Sequence, residues 1–122
     1  MATTAITPVK LTWNEFDVSG LTFTAASTAS DGFVVDASNA DNKLVMLFLN
    51  TNASTTARSA TIKQGNGIQG VTDLESGDIA AGAYAAVTVD SGSFKNVSGP
   101  NKGKILVVPS NAELKMAAIV LP

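Results

Sequence analysis

With no histidine and no cysteine, whatever acid–base or ligand chemistry this sequence offers falls to its ten Asp and Glu residues. Two groupings stand close enough along the chain to be considered: Asp36 with Asp41, and Asp73 with Glu75 and Asp78. A glycosidase pair needs one carboxyl whose pKa is raised in a walled cleft. These residues instead sit beside Ser, Asn and Gly, in stretches that read as exposed loops. A calcium loop needs several oxygen ligands at regular spacing, and neither grouping reproduces that pattern. The absence of thiolate and imidazole removes zinc, iron–sulfur and His-ligated haem sites, along with Cys and His catalysis. The expectation is a protein that is not an enzyme, with no catalytic residues, no metal and no cofactor.

One formal motif remains. Gly65-Asn66-Gly67-Ile68-Gln69-Gly70 fits the G-x-G-x-x-G pattern of dinucleotide sites. That pattern works by letting a helix N-terminus approach a pyrophosphate. Here Val71-Thr72-Asp73-Leu74-Glu75-Ser76 runs into Gly77 before a helix could grow, so the segment reads as a glycine-rich turn.

Trp13, Tyr84 and the phenylalanines Phe16, Phe23, Phe33, Phe48 and Phe94 could in principle form a stacking platform for sugars or bases. One Trp and one Tyr in the whole chain favour core or interface roles instead. Trp13, in the polar setting Thr12-Trp13-Asn14-Glu15, is the expected exposed anchor of a protein interface. Ile6 and Pro8 join it as candidate contact residues on an extended N-terminal arm over residues 1–12. The sequons at Asn52 and Asn96 would matter only in a secretory pathway, and the Thr-rich stretches suit exposed strand positions.

The elements that must position these residues are strands. Apolar residues come in short bursts punctuated by Gly, Asn, Asp and Ser, and no 3.6-residue periodicity of helix length occurs. Strands are predicted at Ala5–Thr12, Leu21–Ala25, Phe33–Ala37, Lys43–Asn50, Ser59–Gln64, Ala83–Val89, Lys104–Val108 and Leu114–Leu121, with weaker candidates at Glu15–Val18 and Phe94–Val97. Alternation turns Ala83, Ala85, Val87 and Val89 toward the core. Leu44–Leu49 and Ile105–Val108 are apolar on both sides, as in central strands or strands that meet another subunit. Asp31-Gly32 and Asn66-Gly67 read as tight-hairpin dipeptides. Val71–Gly82 is the least regular stretch, with room for one helical turn.

These features predict an all-β fold, a single antiparallel β-sandwich of about eight or nine strands, immunoglobulin-like or jelly-roll. At 122 residues one domain is expected to span the chain. The net charge of −2 and scattered cations leave no basic stripe for phosphates, so direct nucleic-acid binding is not expected. The N-terminus lacks the charged and apolar regions of a secretion signal, and the longest apolar run is too short to cross a bilayer as a helix. The expectation is a protein made in a cytoplasm and kept off membranes.

Several segments taken in order carry a resemblance: Asp41-Asn42-Lys43-Leu44-Val45, Ala60-Thr61-Ile62-Lys63, Ala80-Ala81-Gly82-Ala83, Ser91-Gly92-Ser93-Phe94 and the closing Leu114–Pro122. Together, over roughly residues 31–122, they resemble small β-sandwich proteins from the head genes of tailed bacteriophages. The resemblance implies a structural virion protein on the capsid surface, a homo-oligomer bound to the major capsid protein that decorates or cements the shell. A carbohydrate-binding β-sandwich module of a phage tail, fibre or adhesin is the alternative.

Overall fold

A computed structural model describes residues 3–18, 20–38, 43–67, 72–89 and 91–122. Among these the fold is essentially all-β, with one helical turn, α1 (Ser91–Phe94), and nine strands in two sheets. The strands are β1 (Thr4–Ile6), β2 (Val9–Lys10), β3 (Phe33–Asp36), β4 (Leu44–Asn50), β5 (Ala60–Ile62), β6 (Leu74–Glu75), β7 (Tyr84–Val87), β8 (Lys104–Pro109) and β9 (Leu114–Val120). The five-stranded sheet has the order β1-β3-β8-β5-β6 and the four-stranded sheet β2-β9-β4-β7. No described helix is long and apolar enough to cross a membrane.

Period-two alternation builds the core. One sheet contributes Ile6, Phe33, Val35, Ala60, Ile62, Ile105 and Val107, and the other Leu44, Met46, Phe48, Leu114, Met116 and Ala118. Each set occupies alternate positions of its strands, so each sheet turns one face to the same apolar cluster. Ala83, Ala85, Val87 and Val89 pack against that cluster, as their alternation predicts.

The sheets are mixed, a correction to the antiparallel expectation. β1 runs parallel to β3, with Ile6 opposite Val35, and β2 runs parallel to β9, with Val9 opposite Ile119. Parallel neighbours need a long return connection, and the chain between β2 and β3 supplies it. The predicted strand Ala5–Thr12 is split because Pro8 has no N–H to continue a ladder. The chain there leaves one sheet edge and joins the other, so residues 4–10 are edge strands and not an arm. All other strand pairs are antiparallel: β3·β8, β8·β5, β5·β6, β9·β4 and β4·β7. Of the predicted strand Leu21–Ala25 only Thr24 pairs, antiparallel with Met116.

Turns depart from expectation in a consistent way. Gly32 ends a turn closed by its own N–H to Thr28 O at 3.1 Å, and no hairpin follows. Its φ of +68° and a would-be Cβ 2.3 Å from Val107 O show why glycine stands there. The helical turn falls at Ser91–Phe94, ending on the first residue of the weak strand candidate Phe94–Val97, which forms no described strand, whereas Leu74–Glu75, in the stretch with room for a helical turn, is extended.

The apolar outer side of β4 is covered partly by the chain itself. The Phe23 and Tyr84 rings meet edge to face with centroids 5.9 Å apart. Thr24 pairs with Met116, which sets Phe23 beside Ala117, and Ala117 is buried although it faces away from the core. Val45, Leu47 and Leu49 on that face are half-buried.

Candidate interaction surface

Of the carboxylates considered for chemistry, Asp36 and Asp73 are held by local partners. Asp36 accepts from Ser38 Oγ at 2.7 Å and Ser38 N–H at 3.1 Å, and these bonds, helped by Lys104 and Lys95, hold its carboxyl below the usual range. Asp73 accepts from Lys63 Nζ at 2.6 Å and Gln64 N–H at 2.9 Å, with the same effect. Glu113 accepts from Asn52 Nδ2 at 2.9 Å and Arg58 Nη2 at 2.7 Å and is likewise held ionised. A lowered pKa is the reverse of what a general acid needs. Among the described residues no three Asp or Glu side chains converge as a metal-ligand group. Asp41, half of one candidate pair, lies outside the described residues.

Glu113 belongs to a network that the sequence did not signal. Asn50, fully buried at the end of β4, donates to Thr56 O and Ile79 O, and its Oδ1 accepts from Asn52 N–H. Asn52 Oδ1 in turn accepts from the N–H groups of Ser54 and Thr56. The buried Asn50 amide is thereby satisfied, and the loop after β4 is held by these side chains together with the backbone bonds of Thr51 to Glu113 and of Arg58 to Ile79. A buried asparagine closing an otherwise apolar strand was the available clue.

The first glycine of the G-x-G-x-x-G match has a packing role. Gly65 N–H donates to Ser93 O at 2.9 Å, and a Cβ there would stand 2.6 Å from Lys95 O. Asn66, the next residue, holds the far loop, accepting from Val97 N–H at 2.8 Å and donating to Ser98 O at 3.0 Å. Ile68, Gln69 and Gly70 lie outside the described residues.

The expected contact residues separate. Ile6 is 6% exposed and belongs to the core, because its strand is hydrogen-bonded to β3; this corrects its assignment to an interface. Pro8 is half-buried at the crossing between the sheets. Trp13 is 74% exposed, and the same segment presents Phe16 at 96% and Val18 at 89%. Sequence reading missed Phe16 and Val18. Their alternation with Glu15 and Asp17 imitates a strand, but no described strand pairs with it. On either side of it, Leu11 N–H donates to Val120 O and Thr24 is bonded to Met116, and within it Asp17 accepts from Gly20 N–H at 2.7 Å.

The recesses of the described surface include a groove and a shallower hollow. A groove of about 220 Å³ opens between the edge strands β6 and β7, walled by Phe48, Ile62, Leu74, Glu75 and Val87. A shallower recess of about 480 Å³ is lined by Ser38, Lys95, Asn96, Val97, Lys102 and Gly103. Comparison with protein-family models, with curated proteins and with solved structures finds no match to the chain.

Proposed function

We propose that this chain is a non-catalytic structural module that acts through protein contacts, and that its setting is the head of a tailed phage, where it decorates or cements the capsid. The observation that carries the reading is the exposure of Trp13, Phe16 and Val18 on one segment, since single surface apolar residues are ordinary but a cluster of them marks a contact. Asp36, Asp73 and Glu113, tied to local donors and held ionised, are poorly suited to act as general acids.

Strand pairing supports a jelly-roll over an immunoglobulin-like sandwich. A ribbon of eight strands rolled on itself pairs first with last and second with seventh, and splits into the orders 1-8-3-6 and 2-7-4-5. Numbering the Thr24 segment as the first strand and β3 to β9 as the rest matches every one of these neighbours, all antiparallel. Jelly rolls recur in viral capsid and lectin domains. A fold alone does not choose between them. The apolar character of Trp13, Phe16 and Val18 favours a protein surface over a sugar, and the order of segments resembling phage head proteins names the major capsid protein as the partner.

The test is co-sedimentation of the purified protein with capsids that lack it. Saturable binding at a fixed ratio to capsid subunits supports the reading. Absence of binding overturns it and moves the carbohydrate-binding module to first place.

A further inference from the structure

We propose that the segment 12–18 of one molecule docks on the recess lined by Lys95, Val97 and Lys102 of a second copy, in a two-fold pair that exchanges both contacts. This rests on the reading of that segment as a protein contact and assigns the segment itself to a second copy, so that capsid contacts fall on other surfaces of the pair.

The donor carries alternating chemistry. Trp13, Phe16 and Val18 are exposed, and Glu15 and Asp17 flank Phe16. Asn14, between Trp13 and Glu15, takes a left-handed φ of 62°, a conformation Asn tolerates, and turns the chain sharply there.

The receptor is complementary in both respects. Val97 is exposed within it, and Lys95 and Lys102 stand on its walls with Lys104 beside them. Asp36 feels Lys104 and Lys95, and Lys102 adds a further cation on the wall of the recess. Its backbone is already in place. Asn96 N–H donates to Lys104 O at 2.9 Å, Gly103 N–H donates to Asn96 O at 2.8 Å, and Asn66 holds Val97. A preformed receptor loses little order on binding. The rival groove between β6 and β7 carries Glu75 on its wall, which would repel Glu15 and Asp17. Charge therefore selects the lysine recess.

Position permits closure. Lys10 and Leu44 both pair with Val120, and β3 reaches the same end of the molecule where Asp36 pairs with Lys104. Donor and receptor thus lie at one end, so a two-fold axis there satisfies both contacts at once, where a head-to-tail contact would propagate. Trp13 and Phe16 are the large exposed apolar side chains that such a contact would cover in each copy.

Trp13 is the sole tryptophan, so its emission reports the contact directly. Light scattering and fluorescence over a dilution series are expected to show a dimer dissociating at about micromolar concentration, with Trp13 emission moving to the red at the same midpoint. Phe16→Ser and Lys102→Glu are each expected to weaken the dimer about tenfold or more, and Glu15→Lys combined with Lys102→Glu to restore most of it. A monomer at every concentration overturns the proposal. So does a dimer indifferent to both single variants, or one in which Trp13 emission never shifts. These measurements use no capsid: a monomer that still co-sediments with capsids would sink the self-docking and spare the proposed function, and a dimer that does not would do the opposite.

Discussion

Asn50 Nδ2 donates to the carbonyl of Ile79 at 2.8 Å, joining the end of β4 to a residue 29 positions further along the chain. The same amide group reaches Thr56 O at 3.0 Å. Asn50→Ala would take a donor from Thr56 O and an acceptor from the Asn52 N–H and leave Ile79 O with the Arg58 N–H alone, and it is expected to cost about 1–3 kcal/mol in chemical denaturation. Asn50→Asp should be worst near neutral pH, where a buried charge replaces the donor. A loss below about 0.5 kcal/mol for the alanine variant would show that the loop is held by something else.

Acid should destabilise the fold. Asp73, Glu113 and Asp36 are each held below the usual carboxylate range, Asp73 chiefly by Lys63, Glu113 by Asn52 and then Arg58, and Asp36 chiefly by Ser38. The folded state therefore binds fewer protons than the unfolded chain as pH falls. The stability they contribute is complete above the unfolded-state pKa values and is lost as pH drops through the folded ones. Thermal midpoints should be level from neutral pH to about pH 5 and fall below about pH 4. Glu113→Gln should flatten that fall, and an unchanged slope would remove Glu113 from the account.

Glycines divide by surroundings. At Gly32 a Cβ would meet Val107 O at 2.3 Å, whereas at Gly82, also at positive φ, nothing lies within 4 Å. Gly82→Ala should cost about 1–2 kcal/mol for the left-handed backbone alone. Gly32→Ala adds a collision with β8 and should cost about 3 kcal/mol or more, with the backbone forced apart. Equal losses in urea titration would contradict this close approach.

Phenylalanines divide in the same way. Phe48 is 2% exposed between the sheets, and Phe48→Ala should remove about 3–5 kcal/mol. Phe16→Ser should leave the thermal midpoint of the monomer within about 1 °C, because its ring has no packing to lose. A marked drop would mean that Phe16 is folded into the domain and not presented to a partner.

Strands β4, β8 and β9 are legible almost to the residue, because their apolar runs are long and bounded by Asn, Gly and Ser. β7 is legible by alternation, and the Ala–Val face it turns to the core follows from period two. Trp13 stands out as exposed because its neighbours are polar. Ile6 does not separate from it on composition, since an apolar residue near a terminus looks alike whether it pairs or hangs free. Phe16 and Val18 stay hidden for the opposite reason: their alternation is that of a strand, and only the lack of a neighbouring strand exposes them.

What the chain carries locally is its strand content, the face each strong strand turns inward and the absence of Cys and His chemistry, since these depend on residue type and a two-residue repeat. Direction and partnership do not follow from that repeat. Parallel pairing of β1 and β2, the split at Pro8 across two sheets, the Asn50 network and the recess between Lys95 and Lys102 all join residues far apart in sequence. They arise because hydrogen-bond ladders and buried polar groups must be satisfied by whatever long-range partner the folded chain brings within reach.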